Sequence, residues 1–207
     1  MILSLLDYGS VLIFALTGAL VASRAQLDIV GFAFISTLTA VGGGTVRDIL
    51  LNRYPIFWIE QPSFIAMCVC AAIIVFFTAH LVESRYKLLI WLDSFALAIA
   101  VAAGVGIATD LSQPHIIIVI MGILTGTLGG LMRDVVCNEV PLVLKQGELY
   151  VSAAFMGALC SIFATTYLGA STEISLLACA VITWALRAGS LAFGWKLPVY
   201  KSRAPKP

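Results

Sequence analysis

Apolar residues in this chain fall in long uninterrupted runs rather than in the alternation of a half-buried strand or the narrow stripe of a surface helix. The runs cover roughly 4–23, 29–51, 62–82, 89–109, 114–137, 149–169 and 173–194. Short polar patches separate them: Ser23 to Asp28, Asn52 to Gln61, Glu83 to Lys87, Asp110 to Gln113, Asn138 to Glu148 and Ser171 to Glu173. About 20 apolar residues carry a helix across the hydrocarbon layer, so the pattern predicts seven transmembrane helices. No gap is long enough for a soluble domain. Tyr8, Tyr54, Tyr86, Tyr150, Tyr167 and Tyr200 fall at run ends, as do Trp58, Trp91 and Trp195, which are the places of an interfacial aromatic belt; Trp184 lies inside a run.

The runs repeat. Gly43, Gly44, Arg47, Asp48, Asn52 and Pro55 recur as Gly129, Gly130, Arg133, Asp134, Asn138 and Pro141, each pair 86 positions apart (43 to 129, 47 to 133), and Asp7 and Asp93 keep the same offset. The unit holds three spans. An odd number makes the second copy enter the membrane from the opposite face, so the two copies are inverted repeats. The expected organisation is a first three-helix repeat (1–88), an inverted second (89–172), a seventh helix without a counterpart (173–195) and a basic tail (196–207). The fold class is an all-α membrane protein whose second and fifth spans are kinked at their glycines.

Composition agrees. Hydrophobic residues make up 61% of the 207, charged residues 11%, and mean hydropathy is +1.04, whereas soluble domains are about a quarter charged. The net charge of +1 gives no reason to expect a nucleic-acid partner. Met1 to Leu6 has no basic region, so the first run is expected to stay as a helix rather than be cleaved. The five cysteines (Cys68, Cys70, Cys137, Cys160 and Cys179) form no C-x-x-C, and read as small buried residues. No metal or other cofactor site is expected, and His80 and His115 read as interfacial.

Orientation follows from lysine and arginine. With the N-terminus outside, inner loops and tail hold Arg24, Arg85, Lys87, Lys145, Lys196, Lys201, Arg203 and Lys206, against Arg53 alone outside. The chain is therefore expected to cross the lipid bilayer, its first partner, with its C-terminus in the cytoplasm.

Three arginines and several carboxylates remain at membrane depth, where charge is costly and commonly functional. Adjacent helix residues do not face one another, so Arg47 and Asp48 are expected to look elsewhere for partners. Asp7 lies at the depth of Arg47, and Asp93 at that of Arg133. This predicts two charged layers, Asp7 with Arg47 and Asp48, and Asp93 with Arg133 and Asp134, which either fasten helices or gate a path. Arg187 stands alone in the last span; it snorkels, pairs with a carboxylate or lends positive charge to a pore. Gly42, Gly43 and Gly44 interrupt the second span; Gly126, Gly129 and Gly130 interrupt the fifth. Two readings stand: close helix packing, supported by the Gly122-Gly126-Gly130 ladder, or a broken helix whose freed carbonyls line a cavity. Among the hydroxyls Thr17, Ser36, Thr37, Thr39, Thr45, Thr125 and Thr127, those beside the glycines (Thr45, Thr125 and Thr127) rank highest for lining a path. Asn52 and Asn138 read as helix stops. Neither a phosphate-binding glycine loop nor a nucleophile–base–acid set is present, so neither ATP-driven pumping nor an enzyme is expected.

With Gly-Gly-Gly-x-x-Arg-Asp in the second span and Gly-Gly-x-x-Arg-Asp in the fifth, the chain resembles the trimeric intracellular cation channel family, bacterial branch, to about residue 195. The resemblance implies a homotrimer with a pore through each protomer, kinked second and fifth spans at its centre, and conduction of monovalent cations, chiefly potassium, with K+ or Na+ bound only in transit. The matching positions are Gly42, Gly43, Gly44, Arg47 and Asp48, then Gly129, Gly130, Arg133 and Asp134. Leu128 stands where the first copy has Gly42, so the second bend is expected to be milder or to rely on Gly126. The lysine-glutamate-valine element of animal members is absent, so their inositol lipid is not carried over. Some bacterial relatives are assigned to glycine transport, which leaves a secondary carrier of glycine or a similar small solute as the alternative to a channel; a purely structural protein is the third reading.

Overall fold

The computed structural model describes residues 2–82, 84–198 and 200. Eight α-helices account for most of them: α1 (Ile2–Arg24), α2 (Ile29–Leu50), α3 (Phe57–Glu60), α4 (Ser63–Thr78), α5 (Arg85–Asp110), α6 (His115–Val136), α7 (Val151–Leu168) and α8 (Thr172–Phe193). Seven of these, with α4 prolonged to Leu81 by a 3-10 turn, are long and apolar enough to cross a membrane. Helix is the expected answer where no water can satisfy backbone groups. Lys201, Arg203 and Lys206 of the basic tail lie outside the described residues.

Helix ends are set by local chemistry. Asp28 accepts from the Gly31 amide at 2.7 Å to start α2, and Ser171 accepts from Ile174 to start α8. Asn52 and Asn138 stop α2 and α6 at φ 53° and 54°, and Gln26 and Ser112, likewise 86 apart (26 to 112), turn the chain at φ 55° and 52°. The repeat therefore extends to backbone conformation. It pairs α1 with α5, α2 with α6 and α4 with α7; α8 packs on α5 and α7.

The centre is built from α1, α2, α5 and α6, with α5 the most enclosed of the spans. Leu97, Val101 and Val105 on α5 lie against the Gly122-Gly126 stretch of α6, where a methyl added at either glycine would press on valine. In the first repeat Ser36 takes that role, donating to the carbonyls of Ala15 and Cys68 at 2.8 and 3.2 Å. Peripheral helices carry exposed Ile74, Phe77, Phe163 and Leu177, which is the surface a lipid solvent calls for. Cys68 and Cys179 are buried, Cys70 faces outward, and none of the five is bonded to another.

Of the two readings of the glycines, the broken helix is the one corrected. Both α2 and α6 run as single continuous α-helices through Gly42–Gly44 and Gly126–Gly130, so the carbonyls there are not freed by unwinding. Glycine weakens a helix by about 1 kcal/mol relative to alanine, but that local preference is overridden by the packing these glycines permit.

Candidate permeation site

Two buried charged layers sit at the ends of the α2–α6 pair. In the first, Arg47 Nη1 donates to Asp7 Oδ1 at 3.1 Å and Arg47 Nε to Asp48 Oδ1 at 2.8 Å. In the second, Arg133 Nη1 donates to Asp93 Oδ1 at 3.0 Å and Arg133 Nε to Asp134 Oδ1 at 2.7 Å. Arg47, Asp48, Asp93 and Arg133 have no exposed surface at all; unpaired, each would cost several kcal/mol. The structure thus brings each sequence-matched trio together. It also corrects one expectation: adjacent Arg and Asp do pair, in both copies. The rule against adjacent contacts concerns β-carbon directions, and an arginine long enough to fold back along its helix escapes it.

The second oxygen of each helix-end aspartate organises the next turn of chain. Asp48 Oδ2 accepts from the Phe57 amide at 3.0 Å, the first residue of α3, and Asp134 Oδ2 accepts from Leu142 at 2.9 Å, which opens a 3-10 turn. Arg53, partly exposed, lies 3.5 Å from Asp48 at the rim.

Between the layers α2 and α6 cross with almost no side chain in the way. A β-carbon on Gly43 would collide with the Thr125 carbonyl, and one on Gly129 with the Thr39 carbonyl. Gly43 and Gly129 are repeat mates, and so are Thr39 and Thr125 (39 to 125), so the pseudo-two-fold axis passes through this contact. Gly18 and Gly104, also 86 apart, admit the two threonines from behind: an added β-carbon would sit 2.7 Å from Thr39 Oγ1 and 2.6 Å from Thr125 Oγ1. Gly42 lies against Met132 and Gly44 against Phe57. The hydroxyls of Thr39, Thr45, Thr125 and Thr127 all donate back one turn, to Ile35, Val41, Met121 and Ile123. Each keeps its lone pairs free to accept, and Thr45 uses one for Trp58 Nε1 at 2.9 Å.

The layers differ in their surroundings. The first borders a cavity of about 10 Å³, room for one water, lined in part by Asp7, Ser10, Gly44, Arg47 and Thr125. In the second, Tyr150 Oη donates to Asp93 Oδ2 at 2.7 Å. Arg187 is buried, with its Nη1 2.7 Å from Glu148 Oε2 and its Cζ 4.9 Å from the Tyr150 ring centre. Snorkelling is therefore corrected: Arg187 takes the carboxylate option. Gly18, Gly104 and Glu148 were not singled out from sequence, and Tyr150, placed there in the interfacial aromatic belt, is instead buried and bonded to Asp93. The 86-residue offset would have found the two glycines; nothing in the repeat points to Tyr150 or Glu148. Among the described residues no group of His, Cys, Asp and Glu is placed to hold a metal ion.

Seven apolar spans, six of them in two inverted three-helix repeats around a doubled Gly-Arg-Asp crossing and a seventh packed beside them, define a polytopic membrane protein of the trimeric intracellular cation channel fold. The structure of the TRIC trimeric intracellular cation channel orthologue from Rhodobacter sphaeroides is similar at a TM-score of 0.89 and 40% identity, over 93% of this chain and 98% of that one. The sequence profile of the Glycine transporter family matches twice, at residues 4–80 and 90–166, and the chain belongs to that family. Relatives include a UPF0126 membrane protein of Vibrio cholerae, 35% identical over 96% of this chain and 83% of its own length, and the UPF0126 inner membrane protein YadS of Escherichia coli, 33% identical over 94% of both.

Proposed function

We propose that the chain forms a homotrimer in a bacterial plasma membrane and that each protomer carries its own pathway for monovalent cations, potassium above all. The path runs between the first repeat (1–88) and the second (89–172), along the α2–α6 crossing from the Asp7–Arg47–Asp48 layer outside to the Asp93–Arg133–Asp134 layer inside, with the C-terminus cytoplasmic. The observation that carries this reading is the charge of the layers. The second layer sets buried Asp93 and Asp134 against the one guanidinium of Arg133, and the first sets Asp7 and Asp48 against buried Arg47, with the partly exposed Arg53 only at its rim. The buried part of each layer is thus net negative, which favours cations at both ends of a crossing bordered by threonine oxygens. The likeness to a cation channel orthologue supports it. K+ or Na+ would bind only in passage. The glycine contacts leave no passage in this conformation, so conduction requires α2 and α6 to part. Planar-bilayer recording of the purified trimer tests the proposal: ohmic unitary currents should reverse near the potassium equilibrium potential, and reversal potentials indifferent to a potassium gradient would overturn it.

A specific feature favours a second reading, carriage of glycine or a similar zwitterion. Arg47 Nη2 is buried without a hydrogen-bond partner, and Arg47 and Asp7 border the same cavity. Once that one-water cavity widens, a carboxylate could accept from the guanidinium while an ammonium faces Asp7. Saturable, gradient-coupled glycine uptake into proteoliposomes without unitary currents would select this reading.

A further inference from the structure

The repeat makes the two ends of the crossing comparable residue by residue, and they are not alike where the first carboxylate of each layer meets its surroundings. Asp93 is satisfied on both oxygens, by Arg133 and by Tyr150. Among the described side chains Asp7 accepts from Arg47 alone. The position matching Tyr150 in the first repeat (64 to 150) is Phe64, which has no hydroxyl and is occupied with Tyr8 and Phe57, at ring-centre distances of 4.1 and 5.0 Å. The Tyr150 hydroxyl also stands close to α6: a methyl at Gly130 would lie 3.6 Å from it, 3.6 Å from Asp93 Oδ1 and 3.7 Å from Arg133 Nη2.

The Tyr150 ring is held from behind by α8, the helix without a repeat mate. Arg187 lies over the ring; its Nη1 meets Glu148 as an ion pair, and none of its three guanidinium nitrogens makes a hydrogen bond. The chain on either side is clamped to the end of α8. Leu197 donates to the Gly147 carbonyl at 2.8 Å, the Leu149 amide donates to Ser190 Oγ at 3.1 Å, and the backbones of Glu148 and Lys196 pair in a single antiparallel β-bridge.

We propose that Tyr150 is the stopper of the pathway at the second layer: its hydroxyl occupies the Asp93 oxygen that a passing cation would otherwise meet, and Arg187 is the positioning residue that keeps the ring there. The first layer has no stopper and stays open to one water. Besides the closure at the crossing, the pathway is thus held shut at one end, under the control of α8. The inference rests on the cation reading above, and its test separates the two.

The experiment compares wild type, Tyr150→Phe, Arg187→Met, Arg187→Lys and the double variant Tyr150→Phe/Arg187→Met as trimers verified by size-exclusion chromatography. In bilayer recordings Tyr150→Phe should raise open probability about ten-fold or more, since the closed state loses a hydrogen bond to a charged group. Unitary conductance and reversal potential should not change. Arg187→Met should move open probability the same way without adding to Tyr150→Phe, and Arg187→Lys, which keeps a cation over the ring, should restore most of the wild-type behaviour. A second readout needs no current. With the native cysteines replaced and Thr125→Cys introduced, a membrane-impermeant thiol reagent applied from the Tyr150 side should label the Tyr150→Phe background faster than wild type. Unchanged open probability, or unchanged labelling, in Tyr150→Phe overturns the stopper. Absence of current in wild type together with accelerated labelling in Tyr150→Phe overturns the channel and leaves the stopper standing.

Discussion

Gly129 and Gly130 are neighbours in one helix, yet alanine at the two positions should act in opposite directions. A β-carbon at Gly129 would press into the Thr39 carbonyl, with that group's carbon at 3.3 Å. The obstacle is backbone, so no side chain can swing aside and α2 and α6 must separate. At Gly130 the nearest atoms to an added β-carbon are 3.6 Å away, ordinary van der Waals contact. Both substitutions gain about 1 kcal/mol of helix propensity, and only Gly129→Ala meets the overpacking cost of about 1–3 kcal/mol. Comparing the two cancels the shared gain, so Gly130→Ala should be more stable than Gly129→Ala by about 1–3 kcal/mol. Gly43→Ala, facing the Thr125 carbonyl across the pseudo-two-fold axis, should behave like Gly129→Ala. Unfolding in mixed micelles, titrated with a denaturing detergent and followed by circular dichroism, reads these differences. If the neighbours shift stability equally, the crossing is not tight, and a break rather than a contact is what these glycines serve.

Three further outcomes follow from the charged layers and their supports. Asp93→Asn, which disturbs both Arg133 and Tyr150, should destabilise by about 3–5 kcal/mol, the cost of breaking a buried pair, while Asp7→Asn beside its small cavity should cost less; equal losses in the same unfolding assay would contradict the asymmetry of the layers. Asp134→Ala should raise hydrogen exchange selectively at the Leu142 amide, and Asp48→Ala at that of Phe57, so exchange confined to the helix ends would show that neither carboxylate holds its loop. Ser36→Ala should cost about 1 kcal/mol, because the hydroxyl serves the carbonyls of Ala15 and Cys68 in place of a glycine contact.

How far the sequence carried this architecture depends on what was duplicated. Asp7, Arg47 and Asp48 could be placed beside one another because identical residues recur as Asp93, Arg133 and Asp134, and a three-span period fixes which helix ends share a depth. Gly18 with Gly104 and Thr39 with Thr125 are duplicated as faithfully, but a lone glycine or threonine in an apolar run is common, and only the crossing shows what they admit. The glycine clusters were legible as special and not as to kind, since low helix propensity looks the same whether a helix breaks or a second backbone lies against it. Arg47 and Asp48 misled because adjacency argues against contact for short side chains and not for arginine. Helix α3 left little trace: four residues are started by a carboxylate nine positions upstream, a tertiary cause that no local pattern records.

Tyr150, Glu148 and the choice among the three readings of Arg187 stayed illegible for a different reason, and it bears on how an inverted repeat comes to act with direction. Perfect duplication would give two equivalent ends and a path with no preferred side at which to close. Here the duplicated residues build the shared parts, two guanidinium–carboxylate layers and a crossing of bare backbone. The unduplicated residues break the equivalence: a tyrosine where the first copy has Phe64, and an eighth helix whose buried Arg187 leans on that tyrosine and on Glu148. On the proposed reading, symmetry supplies the passage and control sits where symmetry fails. For that reason the positions at which the 86-residue match lapses inside an otherwise matched layer, Phe64 against Tyr150 and Ser10 against Ala96, are the ones whose exchange should alter which end closes while leaving the fold intact.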